Sequence, residues 1–257
     1  MTATALGRWP LWPPLRGLSP VGAWLVALSL GAWLVVATAA VRQGHVLYCG
    51  RPDLAQLSLR LDALVAGGVA RSELRTWSLM ICAMMLPVVI PMARFVHARS
   101  AWTRRGRSTA LFVAGYLALW VTLGAAFVPV ALVARAALDM LGLAWSGVLA
   151  AFGAAALFQL TGMKERALNR CHGTVPLRAY GHGADADALR FGAMHAWRCA
   201  RVCWPAMAAL AIGGHSLATM ALVTLAIVRE RRAFRPSGKE AACFLGLAGF
   251  AALLPFV

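Results

Sequence analysis

The chain has 257 residues, 61% of them apolar and 13% charged, with a mean hydropathy of +0.70. Water-soluble domains are about 45–50% apolar, so this composition excludes an ordinary soluble globule. The balance of 25 Lys and Arg against 9 Asp and Glu, a formal charge of +16, does not point to nucleic acid, because no basic run sits in a polar segment that could hold a duplex.

In chain order, residues 1–19 are a short tail in which Trp9, Trp12 and three prolines mix with Arg8 and Arg16. It reads as an interface-seeking cytoplasmic segment. Residues 20–41 form the first apolar run, opened by Pro20, whose missing N–H costs a helix start nothing. Ala37-Thr38-Ala39 resembles a signal-peptide cleavage site, but the run is longer than the 7–15 apolar residues of a signal core, so an uncleaved span is expected. Within 43–76, Leu54, Leu57, Leu61, Leu64 and Val65 follow helical spacing, which predicts an amphipathic helix on the membrane, ended by Gly67-Gly68.

Further spans are expected at 77–96, 109–134, 138–162, 192–213, 215–229 and 240–257. The predicted fold is an all-α, polytopic transmembrane helix bundle of about seven spans over residues 20–257. Pro87, Pro91, Pro129 and Pro205 fall inside spans, where neighbouring helices can satisfy the carbonyl that each proline frees. Gly213-Gly214 separates the fifth and sixth spans as a tight hairpin or one broken helix. Arginines gather at 94–107, at 164–201 and at 229–239, while the turns near Arg135 and Gly213 are almost uncharged. Because basic loops stay in the cytoplasm, this pattern places the N-terminus inside.

The six cysteines, Cys49, Cys82, Cys171, Cys199, Cys203 and Cys243, lack the spacing of a disulfide framework. His195, Cys199, Cys203 and Met207 recur every four residues in the fifth span. On a helix such residues share one face about 6 Å apart, so neighbouring pairs can hold one ion. Thiol, imidazole and thioether together suit a soft or borderline ion, copper or zinc. The same four residues also fit ordinary core packing, for which Cys and Met are common. Cys171, followed by His172, sits at the same expected membrane face as Cys199 and can supply a ligand from a second helix end. Met80 and Met84 are a second four-residue pair, with Trp77 at the expected outer boundary; His215 and Met220 fall at a comparable depth.

No acidic residue is expected at mid-depth in a span, which counts against a proton-coupled carrier. Asp139 is expected to cap the fourth span, and Asp185 and Asp187 to face solvent in a loop. The chain carries no P-loop, nucleophile elbow, HExxH or catalytic carboxylate pair, so it points away from an enzyme.

These residues resemble a bacterial family of predicted metal-binding integral membrane proteins. The matching motifs are Trp77-x-x-Met80-x-x-Ala83-Met84-Met85-Leu86-Pro87 with Pro91-Met92, Gly115-Tyr116-x-x-x-Trp120, and Phe158-Gln159-Leu160-Thr161-x-x-Lys164 with Cys171. The last runs from Ala188-Leu189-Arg190 through Gly192, His195 and Cys199 to Cys203-Trp204 and Met207. The resemblance covers residues 20–240 and implies metal binding by His195, Cys199, Cys203, Met80, Met84 and Cys171. This chain departs from the pattern at Ala167 and Val202, where the family has Cys, at Arg201, where it has Gly, and at His215-Ser216, where it has Met-Asn.

Three functions fit. The first is a multi-pass protein of the bacterial inner membrane that binds or handles copper or zinc. The second is a structural or assembly subunit of a membrane complex, without metal. The third, a membrane thiol oxidoreductase using Cys199 and Cys203, fits least, since cytosolic thiols stay reduced. The partners implied are the lipid bilayer, a metal ion and, in the second reading, another membrane protein; nucleic acid is not among them.

Overall fold

The apolar runs become helices because a backbone removed from water must satisfy its own N–H and C=O groups. The computed structural model describes residues 19–42, 68–171, 173–214, 216–232 and 238–253. They form eight α-helices and no strand: α1 (Pro20–Arg42), α2 (Gly68–Arg99), α3 (Arg105–Met140), α4 (Ala144–Gln159), α5 (Gly162–Cys171), α6 (His182–Gly213), α7 (Leu217–Arg232) and α8 (Gly238–Leu253). A single 3-10 turn, Trp102–Arg104, joins α2 to α3. The tail 1–18, Cys49 and the amphipathic helix expected within 43–67 lie outside the described residues. Residues 68–76, the last part of the mixed stretch before the expected second span, form the first turns of α2.

α1 is pinned to α2 by a consequence of proline chemistry. Pro87 has no N–H, so the carbonyl of Ala83, four residues earlier, loses its helical partner. Ser29 Oγ and Trp33 Nε1, one turn apart on α1, both donate to that oxygen, at 2.7 and 3.1 Å. The α2–α3 contact is set by Trp77, which is fully buried. Its Nε1 donates to Trp120 O at 3.0 Å, and its ring stacks on Phe127 and fills the space left by the absent side chain of Gly124.

α3 and α6 form the most extensive helix pair. Gly115 faces the carbonyl of Leu189, and Gly192 faces the carbonyl of Phe112; a Cβ at either position would land on the opposing backbone. Two small residues facing each other across a crossing are how membrane helices approach closely. The remaining helices follow in a chain of contacts, α6 on α4, α4 on α8 and α8 on α7, with α7 returning to α2.

Among the described residues, three helices are long and apolar enough to cross a membrane: Pro20–Val41, Arg71–Arg99 and Trp102–Met140. The α4–α5 pair, bent by 70° at its break, is a fourth candidate. The expected seven spans are therefore corrected to three or four by length and composition. α7 and α8 have 16 residues each, about 24 Å against a hydrocarbon core of about 30 Å. In α6, Arg198 and Arg201 leave only the stretch from 202 to Gly213 free of charge, about 18 Å. The expected fourth span, 138–162, is also redrawn. α3 runs through Asp139 to Met140, the chain turns at Gly142 with φ of 67°, and α4 restarts at Ala144. Asp139 is thus in the last turn of α3, not a cap. Gly214, with φ of 85°, makes the expected break between α6 and α7.

Candidate metal centre

The column His195, Cys199, Cys203 and Met207 is the buried face of α6, none of the four more than 2% exposed. His195 lies among the rings of Phe112, Tyr116 and Phe191, with centroids 5.9–6.2 Å away. Cys203 Sγ donates to the carbonyl of Cys199 at 3.1 Å, one turn back.

The decisive juxtaposition comes from α5 and α7. The bend after α4 lays α5 against α6, which brings Cys171, at the end of α5, beside Cys199. Both sulfurs are fully buried. Arg231, in the last turn of α7, bridges them: Nη1 donates to Cys171 Sγ at 2.8 Å and Nη2 to Cys199 Sγ at 3.0 Å. Tyr116 of α3 donates its hydroxyl to Cys199 Sγ at 3.4 Å. Four helices thus converge on two thiols that share one guanidinium.

A second charged pair sits beside the first. Lys164 of α5 and Glu230 of α7 are 2% and 5% exposed at the side chain and are joined at 2.9 Å. Lys164 Nζ also lies 6.0 Å from the ring of Phe158. The pair ties α5 to α7 next to Arg231, and so holds the cysteine and arginine partners in register. Glu230, just past the expected sixth span at 215–229, is buried, at 7% exposure for the whole residue.

Asp185 and Asp187, expected in a solvent-facing loop, belong to the first turns of α6. Asp185 accepts from Arg104 at 2.6 Å and Arg107 at 2.7 Å. Asp187 accepts from the side chain and backbone of Arg178. These bonds favour the carboxylate and hold Asp187 down at about 2. That pairing is present above the ordinary carboxylate range and is lost as pH falls through about 2.

Of the residues expected to bind metal, the structure joins Cys171 to Cys199 and sets Cys203 and His195 one turn away on either side of Cys199. Met80 and Met84 are fully buried on α2, a helix packed against α1, α3 and α7. His215 and His172 lie outside the described residues. Among the described residues, no three His, Cys, Asp or Glu are close enough to hold an ion together. The arrangement therefore does not fit the four-ligand cage of a structural zinc site. At the convergence itself two sulfurs, Cys171 and Cys199, both accept from the Arg231 guanidinium.

The family model described as copper chaperone, PpoB2, matches residues 74–254. The chain belongs to the PpoB2 copper chaperone family. The match spans well over half of the sequence and runs from within α2 through α8, hence it takes in every residue of the thiol group. The expected relationship to a metal-handling family thus stands. No curated protein and no solved structure matches the chain.

Proposed function

We propose that this protein is a multi-pass membrane copper chaperone that holds Cu(I) as cargo between Cys171 and Cys199, in the inner membrane of a bacterium, with its N-terminus in the cytoplasm. The observation that carries this reading is the pair of buried sulfurs from separate helices, bridged by Arg231 at 2.8 and 3.0 Å. Soft sulfur donors favour Cu(I) over hard ions. Cys203 and His195 are next along the α6 column and would be the first groups an ion meets on leaving Cys199. Met207, Met80, Met84 and His215 would continue a soft-donor route. Arg231 would balance the negative charge of a copper ion held by two thiolates, and Tyr116 would keep Cys199 oriented. Copper is favoured over zinc because the described donors number two at the convergence, not four.

The test is copper analysis of detergent-purified protein expressed with added copper, paired with competition against a Cu(I) chelator. Wild type is expected to retain copper near one per chain. Cys171→Ser and Cys199→Ser should each weaken Cu(I) binding by at least about tenfold, about 1.4 kcal/mol. The competing reading, a structural subunit with packing Cys and Met, draws on the complete burial of Met80 and Met84; it requires the serine variants to bind as much copper as wild type.

A further inference from the structure

A cleft of about 230 Å³ opens on the flank of α6 away from the buried thiols, lined by Ala167, Arg170, Met194, Trp197, Arg198 and Arg201. Three guanidinium groups meet there without an acidic residue in the lining. Arg198 is held in place, donating to Gly173 O at 2.7 Å and to Met194 Sδ at 3.6 Å. Arg170 and Arg201 are exposed. Like charges crowded on one cleft repel each other, and an anion placed among them relieves that repulsion. A water molecule occupies about 30 Å³, so the space admits a phosphate with its ester oxygens.

The surface beside the cleft says which anion. Trp197 and Trp204 are half-exposed, at 52% and 49%. They are seven residues apart, two turns on one face of α6, with Arg201 between them. Trp204 packs edge-on against Phe158 of α4 at 6.1 Å. Within about 10 Å along the helix the surface passes from three positive charges to exposed aromatic rings. A free phosphate has no use for the second half of that surface, whereas a phospholipid presents an anionic head and an apolar tail in the same order. Basic pockets between helices on the cytoplasmic side of a membrane recognise anionic headgroups in this way, and tryptophan favours the headgroup level.

We propose that Arg170, Arg198 and Arg201 bind the phosphate of an anionic phospholipid whose acyl chain lies against Trp204 and Phe158. The proposal rests on the membrane reading above. The full chain, purified in neutral detergent, is titrated with phosphatidylglycerol, phosphatidylcholine or inorganic phosphate, with thermal stability and lipid retention in native mass spectrometry as readouts. Phosphatidylglycerol is expected to bind at least about tenfold tighter than phosphatidylcholine. Arg170→Gln/Arg201→Gln, which alters two exposed side chains, should abolish that preference, and Trp204→Ala should weaken phosphatidylglycerol while leaving inorganic phosphate unaffected. Equal binding of the two lipids, or a preference that survives in the double variant, overturns the proposal. A stabilisation by inorganic phosphate equal to that by phosphatidylglycerol, insensitive to Trp204→Ala, also overturns it, by making the ligand a free anion. Recovery of the chain in the soluble fraction without detergent is a separate result, which overturns the membrane reading itself.

Discussion

The chemistry of this protein is concentrated in a few side chains whose surroundings set their role. Cys199 touches Tyr116 and Arg231, and Cys171 shares the same guanidinium, although neither helix alone carries a site. Lys164 and Glu230 illustrate how exacting such an interior is. Removing one member of a buried ion pair leaves an uncompensated charge, which costs about 3–5 kcal/mol, whereas replacing both with apolar residues of similar size is far less costly. Lys164→Met and Glu230→Leu are therefore each expected to lower the thermal unfolding temperature in detergent sharply. The double variant should recover most of the loss while loosening α5 against α7. A double variant as unstable as the sum of the singles would argue against direct pairing. Of these residues, the cysteines were legible as a four-residue column with an outlying partner. Arg231 was not, because in the sequence it is one of several arginines in a run whose ordinary use is to stay at the membrane surface.

At the scale of elements, prolines and glycines decide how helices meet. The carbonyl freed by Pro87 is received by Ser29 and Trp33, so α1 is bonded to α2 at one atom. Ser29→Ala/Trp33→Phe should leave that oxygen without a donor and cost about 1–3 kcal/mol. Adding Pro87→Ala restores an N–H within α2 and is expected to recover much of the lost stability, measured by thermal unfolding in detergent. If Pro87→Ala brings no recovery, the freed carbonyl is not what the two side chains serve. The sequence placed these prolines within spans and anticipated that a neighbour would satisfy the carbonyl. It did not say which neighbour, because Ser29 and Trp33 lie more than fifty residues before Pro87. The glycines at 115 and 192 carried no signal of their own beyond their places in two motifs; only their meeting across α3 and α6 explains why no side chain fits there.

At the scale of the molecule, the three arginine-rich segments come together. Arg104, between α2 and α3, is bonded to Asp185 and to the carbonyl of Gly181 at the start of α6. The ends of α5 and α7 meet through Arg231 with Cys171 and through Lys164 with Glu230. The sequence expectation places the arginine-rich stretches 94–107, 164–201 and 229–239 on one side of a membrane, and labelling tests it. Single cysteines introduced at Arg99, Arg178 and Lys239 in a chain lacking reactive native thiols are expected to label from the same side of a sealed vesicle. Labelling of Arg99 and Arg178 positions from opposite faces would remove the basis for a cytoplasmic thiol site.

The apolar runs and the placement of their charges were enough to establish a helical chain, since a long greasy segment can satisfy its backbone only by coiling. They also marked Cys199 and Cys203, because a four-residue repeat reports which side chains share a helix face, and Cys171, because it lies just past an apolar run at the same expected face. The number of long spans, the burial of Glu230 and the bridging by Arg231 were decided only by tertiary structure. Each depends on where a helix stops or bends and on which distant residue then faces it, and those are properties of packing between segments rather than of any one segment's pattern.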